Sequence, residues 1–156
     1  RDCGVDFQEN STVWYGEPNN NEHDQFLQRA AEIKLDDSTP LNASEPSSTR
    51  LWRRYGNKAF DILHQLEANP ELMKELIPGS ECLTVEALHA RDHEMVVHLE
   101  DFLRRRTKIS MMISQKSLEE NPATKQACQL LFGDHFQDRW TSFVESAQIQ
   151  QKAALN

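Results

Sequence analysis

Glycine is scarce here, with five residues in a chain of 156. So little glycine leaves scant material for a phosphate-cradling loop, and neither a P-loop nor the dinucleotide fingerprint GxGxxG occurs. The nucleophile elbow GxSxG is missing as well. No apolar run approaches the roughly 18 residues needed to cross a bilayer, and no strand-like alternation persists. Cysteine is limited to Cys3, Cys82 and Cys128. Odd in number, far apart and without CxxC spacing, they read as reduced thiols in a cytosolic setting. Basic charge is the minority, 17 Lys and Arg against 25 Asp and Glu, a formal net charge of −8. That balance argues against nucleic acid or an anionic membrane as a partner held by bulk electrostatics.

The length suits one domain, or one domain with a tail, able to bury a real core. The chain opens on Arg1, with no methionine and no apolar signal segment, and so reads as a fragment, in preference to a chain whose leading residues were removed. Residues 1–49 contain NNN at 19–21 and the run DDSTPLNASEPSST, rich in serine and carrying Pro40 and Pro46. Such a segment offsets its ordering entropy only by lying against a neighbour. It is expected to be a polar arm, partly disordered or wrapped on the core, with FLQRAAEI at 26–33 as a short helix.

From Arg50 to Asn156 the pattern is that of a helical domain. Leu51, Tyr55, Ala59, Ile62, Leu63 and Leu66 recur near the 3.6-residue period behind serines and Thr49 that can cap the start. Gly56 either breaks this run, with Asn57 capping a second piece, or sits within one continuous helix. Asn69-Pro70 starts a short helix that Pro78-Gly79 stops near Ile77. Residues 84–114 carry the longest signal, with Val85, Leu88, Met95, Val96, Leu99, Phe102 and Leu103 on one face, and the β-branched pair Val96-Val97 before His98 allows a break or a kink. Asn121-Pro122 starts a helix running to Gly133. Asp134 and Gln137 have capping-box spacing before a final helix with the stripe Phe136, Trp140, Phe143, Val144 and Ala147. The expected fold is all-α, a compact bundle of about five or six helices.

Candidate chemistry is thin. His89 and His93 stand four apart, as a metal pair on a helix requires. However, HExxxH is one residue longer than the zinc-protease pattern, and no third ligand can be named. Cys82 lies in SECLT with nothing to depress its pKa, and Cys128 lies in an apolar helix face. No catalytic, cofactor-binding or metal residue is therefore assigned. The basic run at 104–108 is better explained structurally. Glu100 and Arg104 are four apart, as are Asp101 and Arg105, in the favoured order for helix-face ion pairs, worth roughly 0.2–0.5 kcal/mol each. Arg104, Arg105 and Lys108 are retained as weak anion-site candidates. Asp92 and Arg106 project near the apolar stripe, where an unpaired charge is costly. Each is expected to be paired in a buried bridge across helices, Arg106 with Glu94 or Asp92, which requires the chain to turn near Val97.

HEMVVHLEDFLRRRTKIS at 93–110, preceded by RRYGNKAFDIL at 53–63, resembles the C-terminal helical domain of FAD-dependent glycerol-3-phosphate dehydrogenases and α-glycerophosphate oxidases. Arg54, Tyr55 and Gly56 match the family's arginine-tyrosine-glycine. Glu94, Leu99, Asp101, Arg105, Arg106 and Thr107 match its later pattern, and TPL at 39–41 is similar to its lead-in. The resemblance covers residues 50–114 well and implies an accessory domain rather than a working enzyme. By implication the FAD- and substrate-binding domains belong to a parent protein and are this domain's partners. FAD is then the parent's cofactor, with none in this chain. The implied setting is cytoplasmic or peripheral on a membrane, mitochondrial in a eukaryote, with no membrane insertion and with oligomers allowed. An independent helical interaction module, its arm ordering on a partner, is the competing expectation.

Overall fold

The computed structural model describes residues 20–41 and 43–154, without the side chains of Asn20 and of residues 147–154. Cys3 and the rest of residues 1–19 lie outside the described residues. The fold is all-α. Six helices of nine or more residues are described: α1 (Asn20–Glu32), α2 (Ser47–Tyr55), α3 (Ala59–Ala68), α4 (Thr84–His93), α7 (Pro122–Phe132) and α8 (Phe136–Ala154). Two short helices, α5 (Ile109–Met112) and α6 (Gln115–Glu120), lie between α4 and α7. Among the described residues no strand forms, apart from one isolated bridge between Glu75 and Leu83.

α4 is the centre of the arrangement. It gives Val85 to a core made by Phe26, Ala30, Leu35, Leu51, Ile62, Leu63 and Leu66 of the first half. From the same helix Ala87 and Ala90 go to a second core with Phe102, Leu103, Ile109, Ala127, Cys128 and Phe143. A helix covered on both sides carries no polar stripe, and Val85, Glu86, Ala87, His89 and Ala90 are all buried. The small side chains of Ala87 and Ala90 suit close approach of α7, whose Ala127 is equally buried.

The expected helix at 26–33 is longer and starts at Asn20. Phe26 and Ala30, four apart, place it in the first core, and Arg29 grips the Glu67 carboxylate of α3 at 2.7 Å to both oxygens. α2 starts at Ser47, before the serines and Thr49 could act as caps. Its N-cap, Pro46, offers no side-chain acceptor. Asp36 replaces it from a preceding 3-10 turn, accepting from Ser48 N and Ser48 Oγ at 2.8 Å each.

Gly56 breaks the chain with φ 52°, a left-handed value suited to glycine, and α3 starts at Ala59 without a cap from Asn57. The Asn69-Pro70 helix is one short 3-10 turn, Pro70–Met73, rather than a helix reaching Ile77. Beyond it the chain is drawn out by the bridge to Leu83. Asn121 caps α7, its side chain accepting from Ala123 N at 2.9 Å. Gly133 ends α7 with φ 52°, and the Asp134–Gln137 spacing falls across a 3-10 turn, Gly133–His135. Phe143 is buried, with Phe136, Trp140 and Val144 packed beside it. The side chain of Ala147 lies outside the described residues.

Where the Val96-Val97 pair allows a break or a kink, the chain makes a full turn. α4 stops at His93, residues 94–98 are non-helical, and the next helical stretch closes as a π-helix at Asp101–Arg106. The turn removes Met95 from the apolar face, and it is 85% exposed. Leu99, Phe102 and Leu103 stay inside.

Candidate functional site

The most highly organised polar group in the described structure is Glu86, at the third position of α4. Its side chain is fully buried. Arg50 of α2 donates to both oxygens, Nη1 to Oε1 at 2.9 Å and Nη2 to Oε2 at 2.7 Å. Tyr55 OH donates to Oε1 at 3.1 Å, and Leu83 N donates to Oε2 at 2.7 Å. Arg54 Nη1 stands 3.5 Å from Oε1. The Leu83 bond is half of a capping box, since leucine has no oxygen to return. Burial by itself would push the Glu86 carboxyl up. The hydrogen bonds and charge of Arg50, with Arg54 and Leu83 N, outweigh it and hold the group below the usual carboxylate range. Burial likewise opposes the charge on Arg50, and Glu86 more than restores it.

The arginine-tyrosine-glycine residues are built onto this centre. Arg54 donates from Nη2 to the Arg106 carbonyl and lies over the Tyr55 ring, 5.3 Å from its centroid. It thereby ties the start of the molecule to the end of the π-helix. Tyr55 packs edge-on against His89, centroids 5.1 Å apart, and burial followed by the Glu86 charge pushes its phenol far up. His89 in turn touches His93 at 4.7 Å. Burial first, then the His93 charge, lowers the pKa of His89, and its buried Nδ1 has no partner. The His89–His93 pair gains no third ligand: among the described residues no group of three His, Cys, Asp or Glu could hold a metal.

The later pattern also works within the fold. Glu94 meets Arg106 across the turn, with Nε 3.3 Å from Oε2, an ion pair without hydrogen-bond alignment. Its partner is the expected one, but its burial is not, because Arg106 is 43% exposed. Asp92 is corrected more fully. The end of α4 at His93 leaves it in solvent, paired with its neighbour Arg91 at 2.7 Å instead of across helices. Asp101 accepts from His98 N at 3.0 Å and so caps the π-containing helix. Thr107 Oγ1 donates toward Phe102 O at 2.9 Å and Leu103 O at 3.3 Å, closing its far end.

Arg104 and Arg105 make the expected pairs, Arg104 with Glu100 at 3.5 Å and Arg105 with Asp101 at 3.2 Å. Both border a cavity of about 670 Å³ beside Arg139 and Phe143. Lys108 is separated from them. It adopts φ 59° and lines a different cleft with Arg54 and Arg106. The three anion candidates therefore do not converge. Cys82 and Cys128 are buried free thiols. Burial, with the Glu86 charge behind it, pushes Cys82 well up, and burial pushes Cys128 up to about 11.

Sequence reasoning missed Glu86 and Arg50. The available signal was a glutamate between Val85 and Ala87, in a helix with no polar face of its own.

Comparison with known proteins gives the same family as the motifs. The family model described as the C-terminal domain of alpha-glycerophosphate oxidase matches residues 16–133. Glycerol-3-phosphate dehydrogenase 2 of Mycobacterium bovis and of Mycobacterium tuberculosis is 33% identical over 66 residues, 42% of this chain. The matched stretch spans 11% of the length of those relatives. No solved structure matches.

Proposed function

Because the chain belongs to the family of the C-terminal domain of alpha-glycerophosphate oxidase, we propose that it is an accessory helical domain of a glycerol-3-phosphate dehydrogenase-like protein. It packs on or assembles the FAD- and substrate-binding domains, which hold the cofactor and carry the hydride chemistry. The observation that carries this reading is how the motif residues are used. Arg54, Tyr55, Glu94, Asp101, Arg106 and Thr107 each bond or pair with another part of this same domain. Groups engaged in this way brace a fold and are poorly placed to move a substrate proton.

Exposed apolar side chains support a role in docking. Met95 and Val97 in the 94–98 turn, and Met111 and Met112 in α5, present large apolar groups on either side of the Arg106 segment. Methionine and arginine together are a composition enriched at protein interfaces. No described helix is long and apolar enough to cross a membrane. A cytoplasmic or peripheral membrane setting, mitochondrial in a eukaryote, is assigned to the parent protein on the family resemblance.

The reading frame upstream of Arg1 provides the test. An accessory domain predicts a strand followed by GxGxxG and a helix in that frame. A frame without it would remove the dehydrogenase parent and favour an independent interaction module.

A further inference from the structure

A second cleft, of about 330 Å³, opens between α2, the turn before Cys82 and the segment that follows the π-helix. Five cationic side chains line it, Arg50, Arg53, Arg54, Arg106 and Lys108, against the single acid Glu81. On a chain of formal net charge −8, this is a local reversal of sign. Part of that charge is already engaged. Arg50 is held by Glu86, Arg53 by Glu45, and Arg54 by the Arg106 carbonyl. What remains is the guanidinium edge of Arg106 beyond its Nε contact with Glu94, and the Lys108 ammonium, which forms no ion pair among the described residues although Glu81 lines the same cleft.

Ser80 also lines this cleft, with 2% of its surface exposed. Its Oγ is buried and has no hydrogen-bond partner. A buried hydroxyl left unpaired costs stability, and a polar group entering the cleft would satisfy it.

We propose that this cleft binds a phosphate group, held by Ser80 Oγ, the Arg106 guanidinium and the Lys108 ammonium. The donors come from separate points of the chain and differ in kind: a hydroxyl, a planar fork and a point charge. Phosphate carries close to two negative charges near neutral pH and so matches two cations and a hydroxyl, whereas a carboxylate carries one. The volume leaves room for a small ester as well as the free ion. This site is independent of the accessory-domain reading, because all its ligands lie in this chain.

The test is a thermal-shift and calorimetric titration of the 156-residue chain with inorganic phosphate. Ionic strength is held constant with sodium chloride, and acetate serves as the carboxylate comparison. Phosphate is expected to raise Tm as a ligand of the folded state does, and acetate is not. Ser80→Ala and Lys108→Asn should each weaken phosphate binding on the order of tenfold, the scale of a hydrogen bond to a charged group. Lys125→Ala, a lysine elsewhere on the surface, should bind as the parent does. Both test variants are expected to fold. Ser80→Ala removes an unpaired hydroxyl, and asparagine tolerates the left-handed backbone. A stronger response to a phosphate monoester than to the free ion would identify the ester as occupant, and the reverse the ion; either supports the site. Equal responses to acetate and phosphate, no response to phosphate, or unaltered binding by both variants would overturn it.

Discussion

Replacing Glu86 with glutamine removes one charge and almost no volume, so the response isolates the electrostatic role of this side chain. The native carboxylate receives Arg50 on both oxygens, Tyr55 OH and Leu83 N, with Arg54 at 3.5 Å. Glutamine has one acceptor oxygen. Its amide nitrogen, a donor, must replace an oxygen that now receives Arg50 and either Tyr55 or Leu83. Arg50, with its side chain 7% exposed, is left as a buried cation without a counter-charge. Removing one partner of a buried pair costs about 3–5 kcal/mol. In a domain of this size each kcal/mol moves Tm by about 2–4 °C, so Glu86→Gln should lower it by about 6–20 °C. Circular-dichroism melts and urea titration of the parent and variant measure this. Arg50→Met with Glu86→Leu, which removes the main pair together, should recover much of the loss, although Arg54 and Tyr55 still lose an acceptor. A single variant melting within about 2 °C of the parent would refute the reasoning, as would a double variant much less stable than Glu86→Gln.

Stability should fall in two stages on acidification. The depressed His89 pKa means the unfolded chain takes up a proton there that the folded chain does not, so stability declines as pH drops through the ordinary imidazole value of 6.5. The depressed Glu86 pKa adds a second decline below the ordinary carboxyl value of 4.5, complete once pH has passed the lower folded value. Urea titrations across this range, with His89→Gln to remove the first stage, measure both; a flat profile would contradict them. The buried thiols Cys82 and Cys128, with their raised pKa values, should resist alkylation in the native protein and react on unfolding, as peptide mapping of labelled protein would show. Arg105→Ala should leave Tm within about 2 °C, because its pair with Asp101 is a surface one.

Local rules carried much of the fold. Gly56 and Gly133 act through their own backbones and Asn121-Pro122 through a side-chain cap followed by proline, and each marks a helix boundary, although at Gly56 the pattern alone left one continuous helix open. The ion pairs at 100–104 and 101–105 follow from helix spacing. Tertiary partners decided what pattern alone could not. α2 starts at Ser47 because Asp36, eleven residues before it, supplies the cap. Periodicity assigned Met95 to the core, yet the turn at 94–98 ended the helix that would have placed it there. The same turn moved Asp92 into solvent and brought Glu94 to Arg106. Glu86 was the hardest to see, because its four partners come from Arg50, Arg54, Tyr55 and Leu83, mostly distant in sequence. The sites of the arginine-tyrosine-glycine and arginine-threonine motifs were legible, but not that Arg54 and Arg106 join them.

A domain that braces and docks, with flavin chemistry left to other domains of a parent protein, should have no flavin site of its own. Titrating the purified 156-residue chain with FAD, followed by flavin absorbance and by calorimetry, tests it most directly. No saturable binding is expected, and no yellow cofactor should be retained after gel filtration. A stoichiometric, retained flavin would contradict it.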